Sequence, residues 1–341
     1  MPAKWILSRT DRLGDLLLTL PLGNFLRRHL PEVEPVFLVS RYAAPLVDLH
    51  DPPFSRLVWE EAPSFVGYQA FVHVFPRKEL AWRAWRARIP FRVGTARRWY
   101  HFLLCSHRPP ISRRYSGKHE TELNFRLLLP LLPPFLRQEV EELTWEALLS
   151  YRPRLVPRGP LPSGVRERIK GYTPLIVFHI GSGGGAPRWP ILSWAVLANL
   201  LCRRFSTAGL VLTGSAGEMG LAKALRQSAP DLPWLDLTGQ LTLEELVTLL
   251  VEVDLVIAGS TGPLHIAAAV GRPTLGLFPS GIATGPWRWR PLSPLSYVLG
   301  GEKLCLSCPA KGCTCLEKIT PEEVGEKAEV LLRGVPSVLS G

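Results

Sequence analysis

No stretch of this 341-residue sequence stays apolar for the ~18 to 20 residues that a membrane-spanning helix needs. The longest runs, at residues 16–22 and 127–136, are short and broken by proline. The first residues hold Lys4 but no apolar core leading to a small-residue cleavage site, so a secretory signal is not expected and the protein is placed in the cytoplasm. Cysteine is scarce, six in all, which excludes a disulfide framework in a chain this long. What is abundant is apolar residues, 46% of the chain, a globular composition. The length exceeds what one core serves, so two domains of roughly 150 residues are expected.

Acids are outnumbered, 29 against 40 Lys and Arg, and the net charge of +11 is unevenly placed. Residues 77–118 carry twelve basic residues, among them Arg97, Arg98, Arg113 and Arg114, and one acid, Glu79. Trp82, Trp85, Trp99, Tyr100, Phe102 and Tyr115 are interleaved with them. That mixture suits an anionic partner: a membrane surface, a phosphorylated glycolipid or nucleic acid. A solvated basic face is the plain alternative, and the tryptophans favour an interfacial surface.

Apolar runs at residues 5–8, 35–40, 56–59, 70–75 and 91–94 read as strands, with helices at 43–49 and 78–89. A helix over residues 16–30 is expected to kink at Pro21. This βαβ alternation predicts a mostly parallel sheet. Gly14-Asp15 falls at the C-terminal edge of the first strand, where such sheets place ligands, so the Asp15 carboxylate is either a general base or an N-cap. Residues 119–129 predict an amphipathic helix, and the proline-rich residues 151–174 a linker. The boundary is set near residue 157, giving domains 1–157 and 158–341.

The second half repeats the alternation. A strand at residues 175–180 runs into Gly181-Ser182-Gly183-Gly184-Gly185-Ala186-Pro187-Arg188-Trp189-Pro190. This loop satisfies GxGxxA, but it continues through two prolines and the next strand brings no acid for a ribose, so a dinucleotide fingerprint is rejected. A glycine loop ending in Arg188 still suits a phosphate. Further on, a buried strand meets Ser260-Thr261-Gly262-Pro263-Leu264-His265-Ile266-Ala267, where Ser260 or Thr261 can cap a helix whose N-terminus would hold an anion, with His265 one turn in.

Five segments in order, Arg12-Leu13-Gly14-Asp15, His119, Arg188-Trp189-Pro190, Leu237-Thr238-Gly239-Gln240-Leu241, and Ser260 through Ala267 followed by Gly271-Arg272-Pro273-Thr274, carry a resemblance. The chain resembles glycosyltransferase family 9, the bacterial heptosyltransferases of lipopolysaccharide core assembly. That implies an α/β GT-B fold of two facing Rossmann-like domains with mostly parallel sheets, acceptor-binding first and donor-binding second; the last helix, at residues 321–332, could pack back on the first domain. It implies inverting transfer of a sugar from a nucleotide-diphospho-sugar, ADP-heptose by family default, to an anionic glycolipid at the inner membrane surface. Asp15 matches the family's proposed base, and Ser182, Gly183, Arg188, Thr261, Gly262 and His265 would hold the leaving diphosphate. Gly214, Glu218, Thr238 and Ser260 would meet nucleotide or sugar, and Arg97, Arg98, Arg113, Arg114 and His119 the acceptor or membrane.

No DxD pair occurs, which fits a site that needs no metal or other cofactor. The sequence departs from the family at Ser260, usually an aspartate, and at Pro187, usually a lysine. Cys305, Cys308, Cys313 and Cys315, in CxxC and CxC, could hold a structural zinc, pair as disulfides or stay free. No nucleic acid is expected as a partner. The competing readings are a non-catalytic or nucleic-acid-binding basic protein, and a nucleotide-sugar epimerase on the same fold.

Overall fold

Short apolar runs separated by helical connections form parallel strands here, because each crossover returns the chain to the same edge of its sheet. The structure is a computed structural model and describes residues 2–113, 116–182, 187–301, 305, 308 and 314–334. The chain divides into two units, Met1–Leu155 and Val156–Gly341.

The first unit contains β1 (Ala3–Ser8), β2 (Val33–Val39), β3 (Ser55–Val58), β4 (Ala70–Val72) and β5 (Phe91–Val93), all parallel, in the order β3-β2-β1-β4-β5. Both sheet faces are covered, so Ile6, Leu7, Phe37, Leu38, Phe71 and Val72 are fully buried on alternate sides. The single kinked helix expected over residues 16–30 is two helices, Leu13–Leu17 and Leu20–His29. Pro21 lies in the first turn of the second, where its missing N–H costs nothing, so it starts a helix instead of bending one. Gly23 is required in that helix: a Cβ there would come within 2.6 Å of the Phe54 ring and 2.9 Å of Phe37.

The helix expected over residues 119–129 is shorter, Glu120–Phe125. Pro130 disfavours helical backbone before it, and the chain leaves through the 3-10 turn Leu129–Leu131.

The second unit contains β6 (Leu175–His179), β7 (Gly209–Leu212), β8 (Trp234–Asp236), β9 (Leu255–Gly259), β10 (Thr274–Leu277) and β11 (Ser296–Leu299). Their order, β11-β10-β9-β6-β7-β8, is again wholly parallel. Phe178, Trp194, Leu197, Leu210, Ile257 and Leu275 lie in its core. The last helix, Pro321–Leu332, packs on Ile191–Arg204 of its own unit, where Leu197 and Leu200 approach Gly325 and Arg204 bonds Glu329.

Each sheet starts in its middle and then grows outward in both directions. The reversals lie between β1 and β4 in the first unit and between β6 and β9 in the second, which opens a crevice at the carboxyl ends of those strands. Among the described residues no helix is long and apolar enough to cross a membrane.

Candidate active site

In the first unit the loop after β1 and the first turn of helix Leu13–Leu17 deliver Arg9, Asp11, Arg12 and Asp15 to the reversal point. Arg12 occupies the N-cap of helix Leu13–Leu17, which leaves Asp15 in the first turn; the N-cap reading of Asp15 is therefore incorrect. Its carboxylate turns onto Arg9, whose Nη2 donates to Oδ1. Arg9, only 4% exposed, also donates from Nε to Asp11 at 2.7 Å and from Nη1 to Glu120 at 3.1 Å. Burial pushes the Asp15 carboxyl up to about 6 against the pull of Arg9, and the Asp11 and Glu120 carboxylates push the same way, with Arg12 opposing. Burial works against the charge on Arg9, but Asp15, Asp11 and Glu120 together hold its proton more firmly than usual.

Glu120 heads its helix and also accepts from Arg113 Nη1. Arg113 Nη2 donates to Asn124 at 2.9 Å and to the Val74 carbonyl at 3.3 Å. Arg113, partly exposed, is thus turned onto Glu120 and does not point freely outward like the other basic side chains of its stretch. His119 is buried, and its Nδ1 caps helix Glu120–Phe125 by accepting from the Thr121 N–H at 3.3 Å. Arg97 and Arg98 are exposed, as a surface role requires, and Arg114 lies outside the described residues.

Around them Trp82, Trp85, Phe91, Trp99, Phe102 and Leu103 are 45 to 73% exposed. They sit on the packed helices Lys78–Arg86 and Trp99–Leu104 and on the edge strand β5. Lys78 stands over the Trp99 ring at 5.1 Å and Arg86 over Trp82 at 5.2 Å.

In the second unit a shallow pocket opens at the ends of β6 and β9, lined by Gly181, Ser182, Arg188, Gly259, Ser260 and Thr261 among others. Trp189 fixes the end of the glycine loop. It is buried edge-on against Trp194 at 5.0 Å, and its Nε1 donates to the Ile319 carbonyl at 2.9 Å. Its neighbour Arg188 stays exposed and makes no ion pair among the described residues.

Thr261 is the N-cap of helix Gly262–Ala269, yet its hydroxyl bonds the Gly259 carbonyl at 3.3 Å instead of capping, so the first-turn N–H groups keep their capacity for an anion. Gly262 opens the helix and His265 is buried one turn in; neither lines the pocket. Gly183 lies outside the described residues.

Beside Ser182, a Cβ on Gly181 would overlap the Glu218 carboxylate, which would have to shift. Glu218 is not a solvated surface group: Oε2 accepts from the Ser215 N–H at 2.8 Å and its hydroxyl at 3.0 Å in a capping box. Gly214 brings Thr238 and Glu218 together, and the buried Thr238 hydroxyl has no partner among the described residues. His179, which no sequence motif marks, ends β6 with Nδ1 3.1 Å from the Thr213 hydroxyl. Burial lowers it to about 4, with Glu218 opposing. The signal in the sequence was the lone polar residue ending an apolar strand run.

Among the described residues no group of three His, Cys, Asp or Glu could hold a metal ion. Cys308 and Cys315 place their sulfurs 3.7 Å apart, and Cys305 N–H bonds the Ser280 carbonyl at 2.7 Å. Cys313 lies outside the described residues.

Known proteins agree with this arrangement. The family model described as glycosyltransferase family 9 (heptosyltransferase) matches residues 81–319. A Haemophilus influenzae protein named as a candidate glycosyltransferase is 28% identical over 328 residues, covering 91% of this chain and 90% of its own. Lipooligosaccharide heptosyltransferase 2 of the same organism is 29% identical over 174 residues, 50% of this chain and 45% of that protein. The solved structure of E. coli ADP-heptose lipopolysaccharide heptosyltransferase II is similar with a TM-score of 0.74 at 21% identity, over 98% of this chain and 99% of that one. The two parallel-sheet α/β units are those of the GT-B fold, and the chain belongs to glycosyltransferase family 9, whose members are enzymes of sugar transfer related to the heptosyltransferases.

Proposed function

We propose that the enzyme carries out an inverting transfer from a nucleotide-diphospho-sugar, ADP-heptose being the family default, to a hydroxyl of an anionic cell-envelope glycolipid. Asp15 takes the acceptor hydroxyl proton as the oxygen bonds the anomeric carbon. The bond from that carbon to the diphosphate breaks, and the leaving nucleoside diphosphate keeps the electron pair. Ser182, Arg188, Thr261 and the first turn of helix Gly262–Ala269, with His265, receive that charge without a metal, since fixed donors need no reorganisation as charge develops. Arg188 takes the place of the lysine that the family usually has at Pro187. Glu218 and Thr238, with Gly214, stand where a ribose would be met, and Ser260 faces the donor without the usual acid.

The observation that carries this reading is the Asp15 carboxylate, a base ionised at neutral pH whose pKa of about 6 still lets it accept a proton. Asp15→Asn is expected to abolish transfer and leave ADP binding intact; undiminished turnover would remove Asp15 from the role. The family membership does not favour a non-catalytic or nucleic-acid-binding protein, nor an epimerase.

The exposed aromatic and arginine face of the first unit supports a peripheral position at the inner face of the cytoplasmic membrane. Tryptophan and arginine together suit the headgroup layer of an anionic bilayer, where the acceptor lipid resides. The late cysteines are assigned a structural role, and metal analysis of the purified protein, with and without a thiol-specific reagent, tests whether zinc is part of it.

A further inference from the structure

Charged side chains from three separate segments meet at Asp15, and taking the acceptor proton needs only that carboxylate. Arg9 engages three carboxylates at once: Asp11, Asp15 and Glu120. Glu120, 1% exposed, lies between Arg9 and Arg113. Its helix is fixed to the break between helices Leu13–Leu17 and Leu20–His29, because the Leu18 carbonyl accepts from the Thr121 hydroxyl at 3.0 Å and the Asn124 amide at 3.1 Å. The Thr19 hydroxyl in turn bonds the Asp15 carbonyl at 2.8 Å. The row Asp15, Arg9, Glu120, Arg113 thus alternates in sign and is anchored at both ends.

A staple for the fold would need only one buried pair, and buried ions are costly unless each is matched. Here the matching runs toward Asp15. The groups facing that carboxylate are Arg9, Asp11 and Arg12 from its own loop and Glu120 from helix Glu120–Phe125; Tyr42, after β2, donates to the Asp11 carbonyl. Arg9 is the cation in direct contact with it, and the two other carboxylates work to protonate it.

We propose that Arg9 is the positioning residue of the transfer, aiming the Asp15 carboxylate and keeping it ionised, and that Glu120 sets how strongly Arg9 does so. The inference rests on Asp15 as the base. Without Arg9, burial and two like charges all favour the protonated acid. Without the Glu120 charge, one repulsion disappears and Arg9 is shared with one carboxylate fewer. The two losses therefore move the Asp15 proton in opposite directions.

The test is a carboxyl titration of the full chain labelled with [4-13C]aspartate, the Asp15 resonance being assigned from its disappearance in Asp15→Asn. Wild type is expected to titrate at about 6. Arg9→Gln is expected to rise by ~1 pH unit or more, Glu120→Gln to fall, and Arg9→Lys to lie between wild type and Arg9→Gln. An unmoved resonance in Arg9→Gln, or shifts of the same sign in Arg9→Gln and Glu120→Gln, overturns the proposal. Should the Gln variants fail to give a cooperative melt, Arg9→Lys decides: a rise supports the assignment and none overturns it. The titration does not depend on turnover, so its failure is distinguishable from full activity in Asp15→Asn, which would overturn the base itself.

Discussion

Arg188→Gln tests the proposed diphosphate recognition separately from folding. Arg188 is exposed, makes no ion pair among the described residues, and stands beside the buried Trp189 that holds the loop, so removing its charge leaves the packing of the second unit in place. A hydrogen bond to a charged group is worth ~1.5 to 3 kcal/mol. Because the guanidinium is exposed before ligand arrives, solvent screening selects the low end, ~1.5 kcal/mol, or roughly tenfold in Kd. Titration calorimetry with ADP and with adenosine gives the comparison. ADP binding is expected to weaken about tenfold and to lose part of its salt dependence, while adenosine binding and the melting temperature stay unchanged. Equal losses for ADP and adenosine, or no loss for ADP, would refute the placement of the diphosphate at this loop.

Gly181→Ala drives a methyl into the Glu218 carboxylate, so its capping box with Ser215 must break; stability is expected to fall by ~1 kcal/mol in denaturant melts, with weakened adenosine binding. Neutralising Arg97 and Arg98 removes two surface cations, each worth ~1 kcal/mol at an anionic bilayer, and should weaken sedimentation with phosphatidylglycerol vesicles roughly 30-fold at low salt. Unchanged binding would mark the basic face as merely solvated.

His73 is fully buried, both ring nitrogens lack partners among the described residues, and burial, His101 and Arg92 hold it neutral well below its ordinary value of 6.5. Its unfolded state therefore binds the extra proton first, so its contribution to stability is present above pH 6.5 and lost as pH falls, by ~1.4 kcal/mol per pH unit. His73→Phe should flatten this slope in melts between pH 7 and 5.

Much of this architecture was legible because parallel strands are short apolar runs with turns between them, and residues 5–8, 70–75 and 175–180 show that pattern plainly. The break at Leu18–Thr19 was not legible: both sides are equally apolar, and what stabilises the break is Thr121 and Asn124, more than 100 residues away. Asp15, Arg188 and Thr261 could be singled out since strand ends and helix starts are where such sheets bind ligands. Arg9 could not, because an arginine in a polar turn looks solvated until Glu120 is folded against it. The ion pair of Arg113 was hidden for the same reason. In sequence it is one of twelve basic residues in a cationic stretch, and only tertiary packing separates the inward cation from exposed Arg97 and Arg98.

The acid limb of the rate of transfer from ADP-heptose to a phosphorylated glycolipid tests Asp15 as the base most directly. With a carboxyl at about 6, the ionised share falls from about 90% at pH 7 to about 10% at pH 5, so the rate should drop roughly tenfold across that interval and Asp15→Asn should show no transfer at any pH. A limb near the ordinary aspartate value of 3.8, or turnover in Asp15→Asn, would contradict it.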